Sequence, residues 1–377
     1  MTFLLNAGFG DMVRARGIAV ATVPARAGDP SVEAVIRNAE RPSGLIGILR
    51  TISDSAALTD QYCDGGPAIL RALGVEALVG DQLEPATGLL GAALGVPWVS
   101  IASALPINRA PGVPMPYLGW KFDPSPRGLG NRATAERIGA WLSAKQNRSI
   151  RRWAAAFGAG PWNDLHDCLS PLAQISQLIP GYDFPRPEPV PFAAVGPIRP
   201  PLEDEPPLPF EPDPARPLVF ASLGTLQGGR LDLFQAMARA CRSCEAQLVV
   251  AHGGKLTAPQ AASIDADHVA DFLPQRRVLR AASLCFSHGG LNTVLDCIAA
   301  KVPMIVRPFA FDQKGNCARI LHHGIGEAMA RPGALEAQVR RLLGAPGPRA
   351  RLAALSKDME SAGGAQRAAN IIERAIA

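Results

Sequence analysis

The residues best suited to chemistry lie at positions 287–293, where an apolar run ends and an amphipathic run begins. Gly289 and Gly290 let the backbone approach a ligand, and the free N–H groups of a first helical turn favour an anion, most often phosphate. His288, Asn292 and Thr293 supply further donors. The same pattern also describes a capped strand-to-helix turn with a packed histidine. Spacing alone therefore leaves both interpretations open.

A second turn of this kind follows the apolar run 218–222 and contains Ser222, Gly224 and Thr225. A helix is predicted near residue 230, just after it. Ligands of parallel sheets gather at the carboxyl ends of the strands, so two such turns in one sheet strengthen the prediction of a phosphate site.

Three competing motifs fail on inspection. A nucleophile elbow needs glycine where Phe220 stands before Ser222, and the segment ending in Lys255 lacks the upstream glycine and the Ser/Thr of a phosphate-binding P-loop. Asp265 and Asp267 could hold a cation, but they precede a predicted strand, so we interpret them as a loop.

Seven scattered cysteines favour reduced thiols over disulfides, and one C-x-x-C pair without a second gives no zinc site.

Short apolar runs alternate with helical patterns, which indicates βα units and parallel sheets. In the first half, strands are predicted at 2–5, 18–23, 77–80 and 98–101. In the second half, strands are predicted at 218–222, 247–251, 268–272, 284–287 and 304–306, with helices near 230–243, 290–300, 312–322 and 334–343. The patterns from Asp81 to Pro97 and from His288 to Pro303 both predict a helix, a Val-Pro pair and a strand, so one βαβ unit is used twice.

The clearest break in composition is the proline-rich stretch 180–217, which cannot form a regular helix. We place a first domain at 1–195, a linker at 196–216 and a second domain at 217–377. We expect a last helix near 364–376 to return to the first domain. The prediction is thus an α/β protein with two facing Rossmann-like domains.

Composition excludes several classes of protein. The chain has 377 residues, of which 47% are hydrophobic and 19% are charged, which excludes wholesale disorder. The net charge of +5 comes without aromatic interleaving of basic residues, so no nucleic-acid partner is expected. Glycines and prolines interrupt the charge-free stretch 85–108, and the N-terminus lacks a signal peptide. We therefore expect a cytoplasmic protein.

Several stretches of the second half resemble the donor signature of the UDP-glycosyltransferase superfamily. These stretches are 272–275, 288–296, 302–303 and 311–313. Four others resemble bacterial zeaxanthin glucosyltransferases, namely 80–85, 102–109, 170–177 and 220–228. The resemblance implies the GT-B fold and inverting transfer of glucose from UDP-glucose to a carotenoid hydroxyl. Another hydrophobic acceptor, such as a macrolide, sterol or polyphenol, stays open.

The resemblance also implies a role for each matched residue. Phe272 stacks on uracil in place of the usual tryptophan, Gln275 contacts the nucleoside, and Asp296 stands where a glutamate accepts the ribose hydroxyls. The diphosphate is held without a metal or other cofactor, by His288, Gly290, Asn292, Thr293, Gly224 and Thr225. Asp312 and Gln313 match the pair that grips the glucose hydroxyls; the alternative for Asp312 is a simple helix cap.

Asp81 matches the aspartate that orients a histidine base in the first domain of the superfamily. No histidine precedes His166. Residues 2–5 align with the second strand of the superfamily, so the first βα unit is expected to be missing. Two explanations compete: a UDP-sugar-binding protein with little transfer, or a start assigned downstream of the real one, which we favour.

Residues 106–122 carry Met115, Tyr117 and Trp120 among prolines, and this loop is predicted either to contact the acceptor or membrane or to be an ordered core loop. A carotenoid acceptor dissolves in a bilayer. Its use would require peripheral contact with the inner face of the membrane.

Overall fold

The computed structural model describes residues 1–40, 44–186 and 191–377, so part of the proline-rich stretch, 187–190, lies outside the described residues. Besides a short 3₁₀-helix at Pro180–Tyr182, the first half contains six strands and six α-helices in its described part. They are β1 (Thr2–Asn6), α1 (Asp11–Arg14), β2 (Ala19–Val23), α2 (Val32–Glu40), α3 (Gly44–Ala72), β3 (Leu78–Asp81), α4 (Ala86–Leu94), β4 (Trp98–Ala102), α5 (Pro126–Leu142), α6 (Ala144–Phe157), β5 (Gln174–Ser176) and β6 (Phe192–Ala194).

The second half alternates strands and helices and ends in three successive helices. They are β7 (Leu218–Ser222), α7 (Gly224–Gln227), α8 (Leu231–Arg242), β8 (Gln247–Ala251), α9 (Ala258–Ala262), β9 (His268–Ala270), α10 (Gln275–Ala281), β10 (Ala282–Ser287), α11 (Leu291–Ala300), β11 (Met304–Val306), α12 (Gln313–His323), β12 (Gly326–Ala328), α13 (Pro332–Gly344), α14 (Pro346–Ser361) and α15 (Gly364–Ile376).

The second half is built on one parallel sheet of six strands, in the order β12-β11-β10-β7-β8-β9. Its central strands are buried on both faces, because helices cover both sides. Phe220 packs with Leu291 of α11 on one face, whereas Val219 packs with Phe234 of α8 on the other. The predicted α/β fold with parallel sheets is therefore confirmed.

The first half has two parallel sheets in its described part, with orders β1-β2 and β3-β4-β5-β6. Helix α3 contacts β1, β2 and α4, so it spans the two sheets. Within the described residues, β1 and β3 each pair on one side only. All predicted strands are present, but β5, β6 and β12 were not predicted. Each of them has only three residues, too few to show a period in the sequence. The equally short β9 and β11 were predicted from the longer run 268–272 and from the Val-Pro pair of the repeated pattern.

The last helix, α15, packs on the first half. Ala368 is buried together with Val99, Ile175 and Val195, so the chain crosses back after completing the second half. The repeated pattern of the sequence corresponds to β3-α4-β4 and β10-α11-β11, whose strands pair in parallel.

A buried ion pair joins the two halves. Arg319 of α12 is 2% exposed, and its Nη2 lies 2.6 Å from Oδ1 of Asp183. Arg186 donates to the other oxygen at 2.8 Å, and Phe184 lies under the Arg319 guanidinium at 4.5 Å. Although burial raises the pKa of Asp183, the two arginines hold it below its ordinary value.

None of the helices in the described residues combines the length and apolarity that a bilayer crossing requires.

Candidate active site

A cleft of about 410 Å³ opens where the carboxyl ends of β7, β8 and β10 face the segment after β4. This is the position at which ligands bind open parallel sheets. The cleft is lined by Ser103, Ala104, Phe220, Ser222, Gly224, Thr225, Ala251, Gly253, Asp271, Phe272, Leu273, Gln275, His288, Gly290, Leu291, Asn292, Thr293 and Asp312. Of the twelve predicted site residues, the structure brings nine to this cleft; Asp81, Asp296 and Gln313 do not line it.

Two glycines enclose the imidazole of His288. A Cβ on Gly290 would lie 2.4 Å from Nε2 of His288, and a Cβ on Gly224 would lie 2.9 Å from the same atom. Gly224 also has φ +73°, a conformation that side chains rarely adopt. The sequence uses glycine here because any side chain would push the ring out of the cleft.

His288 is neutral at physiological pH. Burial lowers its pKa to about 4, and its Nδ1 is buried without a hydrogen-bond partner among the described residues. A neutral imidazole carries one N–H, and the first-turn N–H groups of α11 begin three residues later, at Leu291. The site therefore concentrates donors at a point where an anion gains from the helix dipole.

Phe272 offers an exposed ring at the outer end of the cleft. Its side chain is 68% exposed, because β9 ends at Ala270 rather than at the predicted residue 272. The chain turns at Asp271, whose carboxylate lies 3.0 Å from Nε2 of His252. An exposed phenyl ring beside a polar cleft is free to stack on a planar base.

Asp312 connects the cleft to the first half. Its Oδ2 accepts hydrogen bonds from the Leu105 amide at 3.1 Å and from Nδ2 of Asn316 at 3.0 Å. Burial raises the pKa of Asp312. Asp312 makes no side-chain hydrogen bond to the backbone of α12, so the alternative of a simple helix cap is wrong.

Gln313 does not reach the cleft with its carbonyl oxygen. The side chain is 5% exposed, and its Oε1 accepts from the amides of Phe309 at 2.8 Å and Ala310 at 2.9 Å. These bonds hold the loop before α12, which carries Asp312. Gln313 therefore supports, from behind the cleft, the loop that carries Asp312.

Asp81 ends β3, on the first-half side of the cleft. Its carboxylate accepts from the Ser103 hydroxyl and from the Leu83 amide, at 2.8 Å for the amide. No hydrogen bond joins it to a histidine within the described residues. His166 lies elsewhere: its Nε2 is 2.9 Å from the Ile107 carbonyl and its Nδ1 is 3.4 Å from Asp164. Asp81 does not line the cleft itself, but it is hydrogen-bonded to Ser103, which does.

Glu84, three residues after Asp81, makes the free energy of unfolding depend on pH. Burial raises its pKa from 4.5 to about 7, while Oε1 accepts from Thr59 at 2.8 Å and the Ala86 amide at 3.0 Å. The native state binds more protons than the unfolded state between these pKa values, so the free energy of unfolding should fall as pH rises through this window.

We expect Glu84→Gln to keep the acceptor oxygen and remove the titration. The free energy of unfolding at pH 8 should rise by on the order of 1–2 kcal/mol, while at pH 4 it should change little. Urea unfolding at both pH values measures this. Equal changes at the two pH values would contradict the assignment.

Sequence reasoning missed several cleft residues, among them Ser103, Ala104, Gly253 and Asp271. Gly253 and Asp271 follow β8 and β9, so the rule that ligands gather at the carboxyl ends of strands would have found them. Ser103 and Ala104 follow β4 in the same way. Their place opposite the second domain depends on domain packing, for which the sequence carries no signal.

Comparisons with known proteins agree with this geometry. Residues 173–334 match the family described as UDP-glucoronosyl and UDP-glucosyl transferase. A zeaxanthin glucosyltransferase of Pseudescherichia vulneris is 43% identical over 92% of this chain and 85% of its own length. That of Pantoea ananas is 39% identical over 91% and 81%.

Solved structures show the same fold. The kitacinnamycin glycosyltransferase superposes with a TM-score of 0.76 at 18% identity, over 100% of this chain and 91% of its own. The calicheamicin glycosyltransferase gives 0.70 at 22%, over 99% and 90%. Two relatives are similar to the chain over nine-tenths of its length, and the solved structures share its fold. The chain therefore belongs to the UDP-glycosyltransferase family and has its GT-B fold.

Proposed function

We propose that this protein transfers glucose from UDP-glucose to a hydroxyl of a carotenoid such as zeaxanthin, with inversion at the sugar carbon. The observation that carries the proposal is the extent of the similarity. The two zeaxanthin glucosyltransferases match 92% and 91% of the chain, which includes the first half. A macrolide-type relative, demethyllactenocin mycarosyltransferase, matches only 43% of it.

The donor diphosphate is proposed to bind without a metal ion or other cofactor. The N-terminus of α11, the His288 N–H and the turn at Gly224 and Thr225 supply the donors that neutralise its charge. Phe272 stacks on the base. Asp312 accepts from a glucose hydroxyl through the carboxylate oxygen not bonded to Leu105.

The acceptor is proposed to enter along an apolar surface of the first half. Tyr117 and Trp120 are 44% and 43% exposed. A Cβ on Gly119 would lie 3.6 Å from the Cβ of Lys314, so this loop runs beside the start of α12 and the sugar end of the cleft. Further exposed apolar side chains lie on α3 and α5: Leu45, Ile46, Leu49, Ile138 and Trp141. Such a surface suits a long apolar acceptor and peripheral contact with the inner face of the membrane in which it dissolves.

A panel of acceptors tests the reaction. With UDP-glucose and EDTA present, we expect mass spectrometry to find glucosides of zeaxanthin and of related xanthophylls in detergent or liposomes. Asp312→Asn should reduce product formation by at least tenfold, because it weakens the grip on the sugar in the transition state. Glucosides of flavonoids or macrolides but not of xanthophylls would contradict the acceptor, and activity only with added manganese or magnesium would contradict the metal-free site.

A second candidate is UDP-sugar binding without transfer, and the surroundings of Asp81 favour it. A positioned general base contributes about 10²–10⁴-fold to such a rate, and Asp81 contacts Ser103 where the superfamily has a histidine. Binding of UDP-glucose with no glucoside from any acceptor in the panel supports this second function.

A further inference from the structure

The positive charge of the chain is concentrated in one short stretch of the first half. Residues 121–157, which include α5 and α6, contain eight basic and two acidic side chains and so carry a net charge of +6. The whole chain carries +5, so the rest of it is nearly neutral. The basic side chains are therefore a local feature of the surface and not an even distribution over it.

Helix α6 presents this charge to solvent. Its sequence, AKQNRSIRRWAAAF, contains no acidic residue. Ile150 is buried in the core of the first half, whereas Arg148 and Arg151 are exposed. Arg152 pairs with Asp60 of α3. In the described part of the chain, Arg148 and Arg151 pair with no carboxylate, so their charges are free to attract an anion.

Exposed apolar side chains lie beside these arginines. Ile46 and Leu49 share one side of α3 with Ser53, because residues three or four positions apart on a helix are neighbours. Nζ of Lys145 donates to the Ser53 hydroxyl, so the apolar row of α3 lies next to the start of α6. Trp141, in the last turn of α5, is 64% exposed and lies four residues before Lys145.

Together these residues form one continuous surface, which we call the α3–α6 face. It consists of Ile46, Leu49, Trp141, Lys145, Arg148 and Arg151. Glu136, the acidic residue of α5, does not neutralise this face, because its Oε1 lies 2.8 Å from Nη2 of Arg132. The face thus combines exposed apolar groups with an excess of positive charge.

The loop 106–122 connects the α3–α6 face to the cleft. A Cβ on Gly139 of α5 would lie 2.6 Å from the Tyr117 hydroxyl oxygen, so this loop packs on α5 close to Trp141. The backbone of the loop also lies directly against Gly315 of α12, three residues after Asp312. A layer that covers the face would therefore lie beside the proposed entrance for the acceptor.

We propose that the α3–α6 face binds an anionic lipid bilayer. Ile46, Leu49 and Trp141 insert among the headgroups, and the basic side chains of α6 pair with lipid phosphates. Each basic side chain near an anionic bilayer strengthens binding about fivefold, and the apolar groups add a contribution that a soluble polyanion would not provide. The inference rests on the proposed transfer to a carotenoid, and it adds which surface makes the membrane contact and which lipid charge this surface requires.

Vesicle co-sedimentation of the full chain tests the proposal without UDP-glucose and without a carotenoid. Vesicles of phosphatidylcholine with about one-third phosphatidylglycerol should bind at least tenfold more protein than vesicles of phosphatidylcholine alone. Salt at about 0.5 M should weaken this binding, because it screens the charges. Equal binding to both kinds of vesicle, or no binding to the anionic ones, would overturn the proposal.

Substitutions on the face have a matched control on the second half. The double variant Arg148→Gln with Arg151→Gln should bind anionic vesicles about 25-fold more weakly, from about fivefold for each side chain. The double variant Arg239→Gln with Arg280→Gln changes the net charge equally at exposed positions of α8 and α10, and it should bind like the wild type. Equal losses in the two double variants would show that net charge, and not this face, attracts the vesicles.

The apolar part of the face is tested separately. Ile46 is 73% exposed, and Ile46→Ser should weaken vesicle binding at least threefold because the inserted apolar area is lost. A single-stranded RNA should not displace the protein from the vesicles at equal phosphate concentration. Displacement by RNA, together with unchanged binding of Ile46→Ser, would show a general site for polyanions and would overturn the proposal.

Activity in two media separates this inference from the proposed function. The double variant Arg148→Gln with Arg151→Gln should match the wild type in glucosylation of zeaxanthin in detergent, but it should be at least fivefold slower with zeaxanthin in anionic liposomes. Absence of transfer by the wild type in both media would count against the proposed function. Transfer in detergent without any vesicle binding would count against this inference alone.

Discussion

Asp183→Ala is expected to lower the free energy of unfolding by about 3–5 kcal/mol, the cost of leaving a buried charge without its partner. Arg319 and Arg186 are the charges left behind. Arg319 is 2% exposed, and Asp183 is the carboxylate that neutralises it, with Arg186 on the other oxygen. Solvent cannot reach Arg319 without separating α12 from the segment that follows the short helix at Pro180–Tyr182.

Urea unfolding of the wild type and two comparison variants measures this effect. Asp265→Ala breaks an exposed pair with Arg242 and should cost about 0–1 kcal/mol. The triple variant Asp183→Leu with Arg186→Met and Arg319→Met replaces all three charges by apolar groups and should recover a large part of the loss. A cost for Asp183→Ala no larger than that for Asp265→Ala would show that the buried pair contributes little.

His288→Ala is expected to weaken UDP binding by about 1.5–3 kcal/mol, or roughly 10- to 150-fold, the range for a hydrogen bond to a charged group. The imidazole lies between Gly224 and Gly290, before the start of α11, where the donor diphosphate is proposed to bind. Because the contact involves the diphosphate, UDP and UDP-glucose should lose affinity to a similar extent.

The pH dependence of the affinity for UDP-glucose is a second test of the expected contact between His288 and the diphosphate. The pKa of the unliganded His288 is about 4, and a bound diphosphate raises it by favouring the charged imidazole. Affinity for UDP-glucose should therefore increase as pH falls from 7 toward 5 in the wild type but not in His288→Ala. The exposed His322 of α12 provides a control, since His322→Ala should change neither affinity nor its pH dependence. Undiminished UDP affinity in His288→Ala would remove His288 from the donor site.

Most of the second half could be predicted from the sequence, because its central strands are buried on both faces and their apolar runs stand out. The predicted bounds of β7, β8 and β11 match the structure. The three-residue strands β5, β6 and β12 could not be predicted, since neither a period nor a repeated pattern marks them, whereas the equally short β11 follows the Val-Pro pair of the repeated pattern. Their position is set by parallel pairing with a neighbouring strand, and this pairing exists only in the folded protein.

In the candidate site, too, some features could be predicted from the sequence and others could not. His288, Gly290 and Gly224 could be predicted because each follows a strand and the chemistry of a helix start is local. The partners of Asp296 and Asp312 could not, since Arg199 and Leu105 lie 97 and 207 residues away along the chain. Local rules carry no information on such contacts, which depend on how the linker and the two halves pack.

The small sheet of β1 and β2 implies that stability is uneven along the chain. Within these two strands only Asn6 and Val23 are buried, whereas every residue of β7 and β8 is buried. Local unfolding is cheapest where few apolar contacts must break, so amide hydrogens should exchange with solvent sooner in β1 and β2 than in the six-stranded sheet. A protease acting on a transiently opened state would then cut near the N-terminus first, while the six-stranded sheet and its side of the cleft stay folded.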